Sequence, residues 1–152
     1  MLRTSDALLV RDRLREYGYK KLAEYYDSVR WRGYKELFRL RNTENQKCFV
    51  CSSPDFLQVH HTSYRSLCEE DMGHLCYACE KCHPLIHAMS FFNDFSILAA
   101  TLCAREYFVL GKLDLLQAMV DDFNASALSL SPFEQADYFQ ASSAPSALAI
   151  PG

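Results

Sequence analysis

The stretch "HLCYACEKCHPLIH", residues 74–87, holds three histidines, His74, His83 and His87, and three cysteines, Cys76, Cys79 and Cys82, in fourteen positions. The chain has five histidines in all, and the other two, His60 and His61, stand side by side in "LQVHHTSY". No histidine lies outside residues 60–87. Residue types that share an affinity for divalent ions are therefore concentrated in one short region.

The cysteines extend that pattern. Cys48/Cys51 and Cys79/Cys82 each read C-x2-C, and four thiolates from two tight turns make a complete tetrahedral set for a closed structural Zn2+ site. The 27 residues between Cys51 and Cys79 exceed what a compact zinc ribbon needs, so further structure is expected in the insert. Seven cysteines is an odd number, and the remaining Cys68, Cys76 and Cys103 read as reduced, small apolar residues rather than a disulfide framework. On a helix His83 and His87 are i and i+4, on one face, and able to bind one ion. Neighbouring strand residues point to opposite faces. His60 and His61 can therefore share a pocket if the strand ends at His60 and a turn follows.

At 152 residues, 49% hydrophobic and 23% charged, the chain has the length and composition of a single soluble globular domain. Its first apolar stretch, "MLRTSDALLVRDRLREY", carries charges throughout and does not read as a secretory signal. The longest apolar run, "SILAATLCA", is far short of a membrane span. A soluble, cytoplasmic protein is the expectation. The net charge of −3 hides an asymmetry: residues 1–47 hold 12 Lys/Arg against 7 Asp/Glu, and residues 48–152 hold 4 against 12. The basic part culminates in "RWRGYKELFRLR", a local face suited to phosphate, although a solvated helix face explains it equally well.

Apolar steps of three and four from Leu8 to Val29 predict a helix broken at Gly18. Ser28 is a candidate N-cap for a second helix, "VRWRGYKELFRLR". In it Trp31, Tyr34, Leu37 and Phe38 form the expected buried face, with Arg32, Lys35 and Arg39 exposed. "SSPD" signals a turn, "FLQVH" a short strand that sets Leu57 and Val59 against Gln58 and His60, and residues 62–73 a polar loop. Pro84 is expected as the first residue of the helix "PLIHAMSFF". "NDFSILAATLCAREYFVL" and "KLDLLQAMVDDF" read as two helices split at Gly111. The Ser-, Ala- and Pro-rich end is expected to be a mobile or adaptor tail. This divides the chain into a basic helical part (1–45), a knuckle region (46–90), C-terminal helices (91–124) and a tail (125–152).

The string "CFVC…LQVHHTSYRSLCEEDMGHLCYACEKCHPLIH" resembles an HNH endonuclease of the bacterial and phage type, and "YYDSVRWRGYKELFRLRN" resembles the basic helix that precedes the motif in many members. The resemblance covers residues 25–87. It implies an α+β chain, a ββα-metal HNH core stapled by a four-cysteine zinc site and flanked by N- and C-terminal helices. It implies His61 as general base, with His60 and His83 as the other catalytic residues. His60, His83 and His87 would ligate the catalytic divalent ion, as in the colicin-type DNases. His74 stands where the family usually has Asn or Asp, and with Tyr64 and Glu70 it would support the catalytic loop. Structural zinc falls to Cys48, Cys51, Cys79 and Cys82. The implied reaction is hydrolysis of a DNA phosphodiester, one strand at a time. Arg32, Lys35, Arg39 and Arg65 are the candidate phosphate contacts. Imidazole ligation suits Mg2+, Mn2+, Ni2+, Co2+ or Zn2+. A second copy of the chain or another protein could dock on the C-terminal helices or tail. The rival readings are a non-catalytic zinc module binding nucleic acid or protein, and a zinc-stapled adaptor, both of which leave four histidines without a role.

Overall fold

The computed structural model describes Leu2 and residues 4–128. Three helices come first: α1 (Thr4–Glu16), the single turn and a half of α2 (Leu22–Tyr26), and α3 (Val29–Arg41). A two-stranded antiparallel hairpin follows, β1 (Leu57–His61) and β2 (Leu75–Cys79), then α4 (Cys82–Asn93), α5 (Ile97–Val109) and α6 (Leu113–Leu128). Buried side chains from Leu2 to Val120 form one core cluster. The class is mixed: helices around a small sheet.

Local chemistry sets the helix ends. Gly18, at φ +80°, ends α1 in a left-handed turn, with Gly18 N–H on the Arg15 carbonyl and Tyr19 N–H on that of Leu14. Gly111, at φ +68°, repeats the device after α5, with bonds to Phe108 and Tyr107. Ser28 caps α3, its hydroxyl accepting the Trp31 N–H at 3.1 Å. Ser96 does the same for α5 toward Ala99.

Several expectations need correction. Leu37 is 37% exposed, because α3 packs through one narrow stripe centred on Trp31 and Phe38. Leu37 lies a step of about 100° from Phe38. α4 begins at Cys82 rather than Pro84. Proline is still in the first turn, where its missing N–H has no intrahelical partner to lose. The residue pattern by itself marks no strand over Leu75–Cys79, where β2 forms, and the strand β1 continues through His61 instead of stopping at His60. α6 runs to Leu128, past the expected boundary at 124; the rest of the expected tail, 129–152, lies outside the described residues.

β1 and β2 pair in the register Leu57↔Cys79, Val59↔Tyr77 and His61↔Leu75. Among the described residues, the other edge of β1 has no strand beside it. Two arginines of the N-terminal helices hold the long loop between the strands: Arg13 Nε donates to the Leu67 carbonyl at 3.2 Å, and Arg30 Nη1 to that of Cys68 at 2.8 Å. Cys68 sits at φ +73°, a left-handed position for a side-chain-bearing residue, and its own N–H donates to Glu70. The knuckle is tied down on two sides, Phe49 N–H to the Tyr77 carbonyl, and Arg105 over the Phe49 ring and onto its carbonyl.

The Ser28 cap predicts a measurable cost. Ser28→Ala should lower unfolding stability by about 1 kcal/mol, whereas Val29→Ala at the neighbouring exposed position should stay within about 0.5 kcal/mol. Urea denaturation of the two variants checks this, and equal midpoints would contradict it.

Candidate metal centres

The sulfur site draws on three pieces of chain. Cys48 and Cys51 flank the tight knuckle turn, Cys79 closes β2 and Cys82 opens α4. All four sulfurs lie within 4.8 Å of one another, and none is in a disulfide. Cys51 Sγ and Cys79 Sγ are 3.7 Å apart. A tetrahedral ion with Zn–S bonds of about 2.3 Å needs sulfurs roughly 3.8 Å apart, so the spacing fits zinc. The Cys82 thiol, joined by the backbone N–H groups of Cys51, Cys79 and Val50, pulls the Cys48 thiol down to about 4. Cys82 itself is pushed up, first by its bond to Cys48. The cluster is an arrangement that could hold a metal ion such as zinc. Cys68 is buried, and Cys76 and Cys103 are half-buried; none of the three joins the cluster.

A second group forms around the open edge of β1. His60, His83 and His87 offer ring nitrogens that lie within 4.8 Å of one another. His83 Nε2 is 3.1 Å from His87 Nε2. Burial holds all three well below the ordinary imidazole range, with the neighbouring histidines adding repulsion at His60 and His87; His83 falls to about 4. These shifts favour the neutral imidazole, in which each ring keeps one nitrogen lone pair that could bind a cation. Three imidazoles, two buried and that of His87 half-buried, with no carboxylate among them form a donor set suited to a divalent transition ion.

His61 has different surroundings. Its Nε2 is 3.0 Å from Glu70 Oε2, and both side chains are buried. A carboxylate only accepts, so Nε2 carries the proton and Nδ1 keeps a lone pair. That nitrogen lies 3.3 Å from the Tyr26 hydroxyl. Glu70 Oε1 accepts from Tyr25 Oη at 2.6 Å and from the Cys68 N–H at 3.1 Å. Burial and the Glu70 carboxylate push the Tyr25 and Tyr26 hydroxyls far up, so both remain donors. The imidazole is stacked against Trp31 at 4.8 Å and against Tyr64 at 5.4 Å.

His60 and His61 point to opposite faces of β1, as strand geometry requires, yet both line one cavity of about 260 Å3. The cavity wraps the unpaired edge of the strand, so every residue of β1 touches it. Trp31, Lys35 and Arg39 of α3 wall one side, and His83 and His87 of α4 the other. Lys35 is half-buried, its Nζ 5.9 Å from the Trp31 ring centre, and burial lowers its pKa ahead of repulsion from Arg39 and Arg32.

The remaining candidates lie elsewhere. Arg32 is exposed on α3 and does not line the cavity. Arg65 is exposed and lines a separate cleft of about 490 Å3 together with His74. The His74 ring bonds the Ser66 hydroxyl at 2.8 Å, and its carbonyl takes the Thr62 N–H, so it braces the inter-strand loop. Tyr64 is the wall between the two spaces. Gln58, Thr101, Tyr25 and Tyr26 were missed. Gln58 Oε1 accepts from His83 Nδ1 at 2.6 Å, and the alternation that puts Gln58 and His60 on one face was the available signal.

The depressed histidines make stability depend on pH. A histidine whose folded pKa lies below its unfolded value binds fewer protons when folded, so unfolding takes up protons as pH falls through the window between the two. Stability should therefore decline as pH drops from about 6.5 toward 4. His83→Gln should flatten that slope, measured by denaturation in buffer without added divalent ions. Release of metal from the sulfur cage is common to both proteins, so parallel slopes would contradict the account. Comparison of the chain with protein-family models, with curated proteins and with solved structures finds no match in any of the three, so the functional reading rests on the residues themselves.

Proposed function

We propose that the chain is a metal-dependent endonuclease of the HNH type, in which β1, β2 and α4 form a ββα-metal core stapled by zinc in the four-cysteine cage, and that it hydrolyses DNA phosphodiesters by single-strand cuts. One observation carries the reading: a single cavity joins a carboxylate-paired histidine, three neutral imidazoles within 4.8 Å, and two basic side chains of one helix.

The roles follow from the environments. His61 Nδ1, once an attacking water takes the place of the Tyr26 hydroxyl beside it, accepts that water's proton, and the imidazolium that results is stabilised by Glu70 through Nε2–H. Tyr25 and the Cys68 N–H keep that carboxylate aimed at His61 rather than at the cavity. Trp31 and Tyr64 fix the ring plane. His60, His83 and His87 would hold a divalent ion (Mg2+, Mn2+, Ni2+, Co2+ or Zn2+), which when bound supplies Lewis acidity at the phosphate and the leaving 3′ oxygen. Lys35 and Arg39 lie where a phosphate backbone would enter.

Supercoiled plasmid incubated with Mg2+, Mn2+ or Ni2+ should be nicked, and His61→Ala should slow nicking by roughly 10^2- to 10^4-fold while keeping its sulfur-bound zinc. Nicking at the wild-type rate by that variant would remove His61 as the base. Binding of catalytically impaired protein to duplex DNA should weaken steeply with salt. Lys35→Gln/Arg39→Gln should reduce the slope of log K against log salt by up to about 0.9 per lost phosphate contact. An unchanged slope would take these residues out of the interface.

A further inference from the structure

α5 lies outside the stretch that carries the resemblance and does not line the cavity, yet it touches His60 from behind through Thr101. Thr101 is fully buried, and its hydroxyl lies 3.1 Å from His60 Nε2. The same hydroxyl donates its proton to the Ile97 carbonyl, one turn back, at 2.7 Å. A hydroxyl has one proton, so toward His60 it can only accept. His60 must then carry its proton on Nε2, which leaves Nδ1 as its only lone pair. His83 is held the other way: its Nδ1 donates to Gln58 Oε1, and Nε2 is bare. His87 Nδ1 is buried with no hydrogen-bond partner among the described residues. Its Nε2 lies 3.1 Å from His83 Nε2, and since that nitrogen is bare, His87 Nε2 is the donor between the two rings.

We infer that Thr101 and Gln58 are positioning residues that lock opposite tautomers, so that His60 presents Nδ1 and His83 presents Nε2 to the divalent ion, with His87 the third donor. This rests on the reading of the three histidines as an ion site given above. It also ties the C-terminal helices to the site, since α5 supplies the hydrogen bond that makes one ligand competent. Such partners of metal-binding histidines fix ring orientation and raise ligand basicity. The hydroxyl is bound back onto its own helix, so the lock does not depend on solvent.

The test uses the full chain with zinc in the sulfur cage, titrated with Co2+ and followed by its visible absorption. Absorption typical of nitrogen and oxygen ligands reports the histidine site, and sulfur charge-transfer bands would reveal exchange into the cage. Wild type should bind one Co2+ at the histidines. Thr101→Val, which keeps the shape and removes the hydroxyl, should weaken that affinity by roughly 10- to 100-fold, and Thr101→Ser should restore it. Nitrogen-15 imidazole spectra of the protein before Co2+ is added should show His60 protonated at Nε2 and His83 at Nδ1. Wild type showing His60 protonated at Nδ1 would overturn the inference even if the valine variant did not fold. Equal Co2+ affinity in wild type and Thr101→Val, with binding abolished in His83→Ala, would overturn the tautomer lock alone. Wild type taking up no Co2+ at the histidines would overturn the ion site and the lock with it.

Discussion

Convergence of four sulfurs is the constraint on which the rest of this fold depends. A two-stranded hairpin of five-residue strands is marginal by itself. Here its far end is pinned, because Cys79 is the last residue of β2 and Cys82 the first of α4, and both meet the Cys48–Cys51 turn. An ion held by those sulfurs would set where α4 starts relative to the sheet. His83 follows the last cysteine directly and His87 comes one helical turn later, so the same anchor delivers both rings to the edge of β1. The antiparallel register then places His60 opposite Cys76 and His61 opposite Leu75. Shape at one end of the hairpin determines chemistry beside it.

The histidine cavity works by contrast between environments. His60 and His83 are buried and His87 half-buried, with no acidic group in their cluster, and burial with repulsion from neighbouring histidines pushes all three toward the neutral form. His61, on the other face of the same strand, has a buried carboxylate at 3.0 Å that favours a proton on one nitrogen and leaves the other as an acceptor, 3.3 Å from the Tyr26 hydroxyl. In the proposed reading, adjacent residues of identical type thus take different roles, one toward a cation and one toward a proton. The alternation of a β-strand separates them, and the unpaired strand edge lets them face one volume. The N-terminal helices complete this arrangement: Arg13 and Arg30 hold the loop that carries Glu70, and Trp31 and Tyr26 pack on His61.

Short-range signals were legible in the sequence. Both C-x2-C pairs, the i, i+4 histidines, the Ser28 cap and the glycine breaks at 18 and 111 are local devices whose spacing is their geometry. Features that depend on long-range contact were not. β2 is buried on both faces, so "LCYAC" shows no polar alternation and was hidden under its cysteines. Leu37 follows helical periodicity in sequence, but the stripe that finds a partner is narrower than the apolar set. Thr101 bonds His60 across 41 residues, and nothing in "ILAATLCA" announces that contact. Arg65 and His74 stand near the histidine pair in sequence, yet the loop held by Arg13 and Arg30 carries them to a different cleft.

Anomalous diffraction from crystals grown with zinc and soaked in Mn2+, recorded on both sides of the zinc edge, tests the central claim most directly. Two ions in each chain are expected: zinc among Cys48, Cys51, Cys79 and Cys82, and manganese bound by nitrogens of His60, His83 and His87 inside the cavity that His61 also lines. Zinc in the cage with no manganese at the three histidines, at concentrations that saturate any activity, would contradict the account.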